Sequence, residues 1–174
     1  GKVGGFCLTK NVSSQQIIEE LKLNKNAVVL FTSVCYGAGS SASDNGDIGV
    51  DEAKSRVSDY AHPFIDIGAG CYFSCNIGNG TFDFLTGFFE GKTISECYQE
   101  VAGSWTTIET TETYCYDKDL KISIGSNDWG GTATRTTISN GVITVEEIPN
   151  DKSYDLALVG SPEFSLEKMM KTVQ

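Results

Sequence analysis

Ala27-Val28-Val29-Leu30-Phe31-Thr32-Ser33-Val34, followed by Cys35-Tyr36-Gly37-Ala38-Gly39, decides the fold. The first eight residues form a nearly unbroken β-prone run, the pattern of a strand buried on both faces of a largely parallel sheet. A helix precedes it: Ser13 and Gln16 stand at capping-box spacing, and Ile17, Ile18 and Leu21 supply an apolar stripe that ends before Asn26. Helix then buried strand predicts an α/β chain, with Cys35 delivered at the strand's carboxyl end.

Outward from that stretch, residues 36–50 hold four Gly and three Ser beside Asp44 and Asp47, without periodicity, and read as a long loop at the top of the sheet. A helix is predicted from about Asp51 to Ile67, bent near Pro63 and closed by Gly68, and then a second buried strand over Ala69–Cys75. Residues 76–80 form a second top loop, and Thr81 opens a helix through Phe89 that Gly91 stops. Thr93 and Glu96 repeat the capping box for a helix to about Ala102. From Trp105 the pattern changes to Thr-rich β segments, with Ser139-Asn140-Gly141-Val142 as a hairpin turn, and Asp155–Val159 is a further apolar strand. The expectation is one α/β domain over residues 1–174 with a mainly parallel sheet and a β-rich insertion at about 105–148.

Composition bounds the function. Forty per cent hydrophobic residues, 21% charged and only 3 Pro in 174 residues describe a packed core. Thirteen basic against 23 acidic residues give a net charge of -10, whose field repels phosphate backbones and anionic lipid, so neither nucleic acid nor membrane is expected as a partner. The apolar run Ala27–Phe31 is far shorter than the roughly 20 residues that span a bilayer. Few Arg and much Thr, Gly and Asn suit a secreted or envelope protein.

Six Cys stand at 7, 35, 71, 75, 97 and 115, with no C-x-x-C pair and a single His, His62, so no familiar zinc or haem spacing exists. Cys71 and Cys75 on one strand lie about 13 Å apart, beyond disulfide reach. Pairing among distant cysteines stays open. Cys35 has two readings: a thiol exposed at the ligand-binding edge of the sheet, with its backbone N–H facing the same crevice, or a small hydrophobe ending a core strand.

Four stretches, VVLFTSVCYGAG (28–39), PFIDIGAGCYFSCN (63–76), FLTGFFEGKTISECYQE (84–100) and YDLALVGSPEFSL (154–166), resemble in order the elements of the caspase-like cysteine peptidases, the group of gingipains, clostripain, separase and the CHAT domains. The resemblance implies a caspase-like three-layer sandwich, of which this chain is the carboxyl-terminal portion. It also implies attack on a peptide carbonyl by the Cys35 thiolate, an oxyanion hole in the loop with Tyr36 and Gly37, and a His as general base and acid. That family takes the His from a His-Gly pair upstream of the Cys, and no His precedes Cys35 in this chain. The base is therefore expected from outside these residues, in a missing amino-terminal segment or a partner chain, with self-association as another cover for the open sheet edge. His62 lies in a predicted helix against a sheet face and reads as an ordinary helical residue.

Family analogy places the substrate pocket at Ser74, Cys75, Asn76 and Asp83, where negative charge favours a basic side chain; Asp83 equally suits a helix N-terminus. Asp44, Asp47 and Asp51 around Gly46 are candidate Ca²⁺ ligands, though not in EF-hand spacing, and gingipain-like relatives do bind calcium. No cofactor is required. The alternative reading is a non-catalytic scaffold of the same fold that binds or self-assembles in a filament or envelope.

Overall fold

A computed structural model describes residues 12–44, 46–128, 132–149 and 152–171. The order is α1 (Ser14–Glu20), β1 (Val28–Thr32), α2 (Val50–Asp66), β2 (Cys71–Cys75), α3 (Gly80–Phe89), α4 (Ile94–Trp105), β3 (Thr107–Thr113), β4 (Lys121–Asp128), β5 (Thr132–Ser139), β6 (Val142–Pro149), β7 (Lys152–Gly160) and α5 (Leu166–Lys171). Both capping boxes form: Ser13 with Gln16 opens α1, and Thr93 with Glu96 opens α4. No described helix is long and apolar enough to cross a membrane.

The chain is mixed α/β. Its main sheet has five strands in the order β1-β2-β7-β4-β3. Only β1 and β2 run parallel, joined by the α2 crossover; β2–β7, β7–β4 and β4–β3 are antiparallel, so the expected mainly parallel sheet is a mixed one. Connection geometry is the reason. A helix carries the chain back to the starting end for a parallel neighbour, whereas the short link at 114–120 and the ribbon between β4 and β7 return it where it left.

The region expected as one insertion divides. Strands β3 and β4 extend the main sheet, and only β5–β6 stands as a separate two-stranded ribbon. Its turn is the predicted one, with Asn140 and Gly141 at φ 50° and 78°, the left-handed pair that a two-residue hairpin loop requires.

Helices cover both sheet faces. Ala53, Val57 and Ala61 of α2 pack with Tyr72, Ile122, Ile124, Ala157 and Val159 on one side. On the other, Phe84 and Phe88 of α3 and Ile94, Tyr98 and Val101 of α4 pack with Cys71, Phe73, Leu156 and Leu158. Alternate residues of β2 and β7 thus feed opposite cores, which is why Cys71–Phe73 and Leu156–Val159 are apolar at every position. β1 differs from expectation: Val28–Phe31 are only half-buried and Thr32 is exposed, because β1 is an edge strand among the described residues.

One irregularity positions the candidate site. Gly125 pairs with Leu156 but Ser126 pairs with Tyr154, so Asp155 is an extra residue in β7. The shift reverses side-chain parity, and Tyr154 joins the core under α2 with Ala157, away from Leu156.

Candidate functional site

Thr32 pairs with Cys75 at the end of β1, the Ser33 amide donates to the Cys75 carbonyl at 3.3 Å, and the Val34 amide donates to Asn76 Oδ1 at 3.2 Å. The chain then leaves the sheet. Ser33 and Tyr36 both take left-handed backbone conformations, φ 56° and 67°, on either side of Cys35. Such conformations cost a non-glycine residue on the order of 1 kcal/mol each, and here they lift the Cys35 side chain out of the strand line. Cys35 is exposed and unbridged. Of its two sequence readings, the core hydrophobe is therefore excluded.

The loop is fixed from three sides. The Tyr36 amide donates to Ser40 O and the Gly37 amide to Val34 O, so these two amides are engaged inside the loop; the Cys35 amide has no acceptor among the described residues. Tyr72 Oη donates to Gly37 O at 2.8 Å from beneath. Gly39, at φ 123°, lies where a Cβ would come within 2.9 Å of the Ala53 Cβ and 3.0 Å of the Tyr154 Cβ, so only glycine lets the loop approach both α2 and β7. The Ser40 amide donates to Tyr154 O and the Tyr154 amide to Ser40 Oγ.

From α2, Arg56 holds the loop's outer side. Its Nη1 donates to both oxygens of Asp44, at 2.8 and 2.9 Å, and to Gly39 O, its Nε donates to Glu52, and its guanidinium lies 5.0 Å from the Tyr36 ring centroid. Tyr36 and Ser43 share a hydroxyl hydrogen bond of 3.0 Å. Bonds from Ser43 and then Ser41 hold the Tyr36 phenol below its ordinary range, with the Arg56 charge adding to them. Tyr60, one helical turn beyond Arg56, lies within electrostatic reach of Cys35; burial first, then Cys35 and Tyr36, push its phenol upward. The sequence reading passed over Arg56, Tyr60, Ser40 and Tyr154. Glu52, Arg56 and Tyr60 stand at successive i, i+4 positions, a face-sharing signal present in the sequence.

His62 is two residues from Tyr60, roughly 200° around the helix. Its ring stacks on Tyr116 at 4.1 Å between centroids, on the side facing the β3–β4 connection, and Tyr116 Oη donates to Asp59. A cleft of about 380 Å³ lies there, lined by Asp51, Lys54, Asp59, Glu112, Cys115 and Tyr116 among others, and Cys35 does not line it. Lys54 bridges Asp51 and Glu112, each at 3.0 Å, which balances two of its carboxylates.

The residues expected to form a substrate pocket separate. Ser74 and Cys75 are buried in the sheet, and the Cys75 thiol donates to Ile77 O against Gly80 of α3, so neither side chain is open to solvent. Alternation in β2 buried them: every position of this central strand faces one core or the other. Asn76 accepts the Val34 amide on its side-chain oxygen and donates its own backbone amide to Asp155 O. Asp83 is exposed in the first turn of α3, the position favoured by the helix dipole.

The candidate calcium carboxylates do not converge either. Asp44 pairs with Arg56 and accepts from the Ser41 amide, Asp47 accepts from the Gly49 amide, and Asp51 pairs with Lys54. Among the described residues no three His, Cys, Asp or Glu side chains gather as a metal site. Cys71 and Cys75 both lie on β2 and are not bonded to each other, as their spacing predicts; the five described cysteines are all unbridged, and Cys7 lies outside the described residues.

No family model matches this chain, and neither a curated protein nor a solved structure matches it.

Proposed function

We propose that the chain is the nucleophile-bearing part of a caspase-like cysteine peptidase, with Cys35 as the attacking thiol and a His supplied from outside these residues. One observation carries this reading: an exposed thiol stands between two left-handed residues just past the β1 end, beside a backbone amide with no acceptor among the described residues. Helices on both sheet faces agree with the three-layer sandwich the resemblance implies. In the reaction the Sγ bonds to the peptide carbonyl carbon, the carbonyl oxygen takes up negative charge near the Cys35 amide, and the external imidazolium protonates the departing amine. Water then cleaves the thioester. The bonds of Tyr154, Arg56 and Tyr72 to the loop keep the thiol and that amide in fixed relation.

A second reading, a non-catalytic scaffold, is favoured by the side chains around Cys35. Tyr60 and Tyr36 are phenols, and the chain's single imidazole is stacked on Tyr116. Alkylation separates the two. With iodoacetamide near neutral pH, a poised Cys35 reacts well ahead of Cys115, the other exposed thiol among the described residues. A chain extended by its upstream coding sequence should then cleave peptides after basic residues and lose this with Cys35→Ala. Equal alkylation rates at Cys35 and Cys115 would leave the scaffold reading in possession.

A further inference from the structure

We propose that the cleft between α2 and the β3–β4 connection binds an alkylammonium cation, its charged head on Ser58 and Asp59 and its carbon chain along Ile122 and the Tyr116 ring. The cleft holds about 380 Å³, within the range of small-molecule sites. Lys54, Ser58 and Asp59 line it from α2, and Glu112, Cys115 and Tyr116 from the end of β3 and the connection beyond. Spacing builds the helix wall: Lys54 and Ser58, like Asp51, Ser55 and Asp59, recur at four-residue intervals and so share one side of α2.

Ser58 carries the inference. It lines the cleft while only 5% exposed, and its carbonyl accepts from Tyr114 Oη at 3.1 Å, but its hydroxyl has no partner among the described residues. Buried hydroxyls are nearly always hydrogen-bonded, so the partner of this one comes from what enters the cleft.

Charge selects the occupant. Three carboxylates, Asp51, Asp59 and Glu112, stand against one ammonium, Lys54, which bridges Asp51 and Glu112 at 3.0 Å each. Asp59 is bonded by a neutral group, the Tyr116 hydroxyl at 3.3 Å, which leaves its charge to a ligand. An anion is repelled here, and no three His, Cys, Asp or Glu side chains among the described residues gather as a metal site. An ammonium brings three donors and no acceptor, which suits a carboxylate beside an unpartnered hydroxyl. The Tyr116 ring, fixed by its stack on His62, and Ile122 offer apolar surface to the alkyl stem. Cys35 does not line the cleft, so the inference stands apart from the peptidase reading.

Titration of the whole chain with butylamine, followed by backbone amide NMR shifts, tests it. The expected result is saturable shifts at residues 54–59 and 112–116 with a Kd on the order of 1 mM, which a ligand of so few heavy atoms can supply. Butanol, neutral and of the same size, binds at least about tenfold more weakly. Ser58→Ala and Asp59→Asn each weaken butylamine about fivefold or more, whereas Glu163→Gln, an exposed carboxylate elsewhere, leaves its affinity unchanged. In a Cys7→Ser background, saturating butylamine slows iodoacetamide at Cys115 and leaves the rate at Cys35 as it was. A trilysine peptide that binds more tightly than butylamine identifies a protein lysine as the cation; one that binds no more tightly identifies a free amine. Equal binding of butanol and butylamine overturns the proposal, as does the absence of saturable shifts. So does unchanged affinity in Ser58→Ala, or equal weakening by Glu163→Gln and Asp59→Asn, which would mean diffuse attraction to an acidic surface.

Discussion

Tyr154 and Ser40 exchange two hydrogen bonds, Ser40 N–H to Tyr154 O at 3.0 Å and Tyr154 N–H to Ser40 Oγ at 2.8 Å, across 114 residues of sequence. The extra residue Asp155 turns Tyr154 towards α2, and the same bulge gives Asp155 O to the Asn76 amide at 2.9 Å. One irregularity in β7 thus anchors both loops flanking Cys35.

Ser40→Ala removes the acceptor of the Tyr154 amide and leaves a half-buried donor unpaired. The expected loss is about 1–2 kcal/mol of unfolding free energy, read from urea denaturation, with faster hydrogen exchange at residues 36–44. An unchanged urea midpoint would show that the clamp contributes nothing.

Arg56 donates to three partners at once, Asp44, Glu52 and Gly39 O, while lying over Tyr36. Arg56→Lys supplies one ammonium where a planar fork is used, so it should recover only a minor part of the roughly 1–3 kcal/mol lost in Arg56→Ala. Thermal melts of the two variants decide this; a lysine variant equal to wild type contradicts the fork geometry.

Thiol accessibility should divide cleanly in a Cys7→Ser background. Cys35 and Cys115 alkylate in the folded protein, whereas Cys71, Cys75 and Cys97 alkylate only on unfolding. Burial both shuts out reagent and disfavours the thiolate, pushing the Cys97 thiol up to about 11. Peptide mapping by mass spectrometry checks the assignment, and native-state modification of Cys71 would contradict the packing of β2.

Glu109 and Lys152 give a pH dependence of known sign. Lys152 at 2.8 Å, then Ser126, hold the Glu109 carboxyl below its ordinary range, and Glu109 raises Lys152 in return. A depressed carboxyl stabilises the fold above its unfolded value, about 4.3, and that contribution is lost as pH falls through the folded value. The raised ammonium contributes below about 10.4 and loses its share as pH rises through its folded value. Solvent screening keeps the contribution of this surface pair small. The stability difference between wild type and Glu109→Gln should therefore be present at neutral pH and shrink towards pH 3, measured by urea midpoints; a constant difference would deny the pair its charge.

The local elements were legible because each is written in adjacent residues. Ser13 with Gln16 and Thr93 with Glu96 specify helix starts, Asn140-Gly141 a hairpin turn, and Val28–Thr32 a strand that presents Cys35 just beyond its end. Spacing along one strand was also enough to exclude a bond between Cys71 and Cys75.

Strand direction, pocket lining and loop anchorage were decided only in three dimensions. The run at 107–128 reads as an appendage until β4 finds β7, because pairing across such separations leaves no mark on either strand's own pattern. Ser74 and Cys75 look like a pocket beside Cys35, but a central strand has a core on each side and buries both. Arg56, Tyr60 and Tyr154 reach the Cys35 loop through a helix face and a one-residue bulge, and a bulge changes which side every following residue faces without changing any residue's identity.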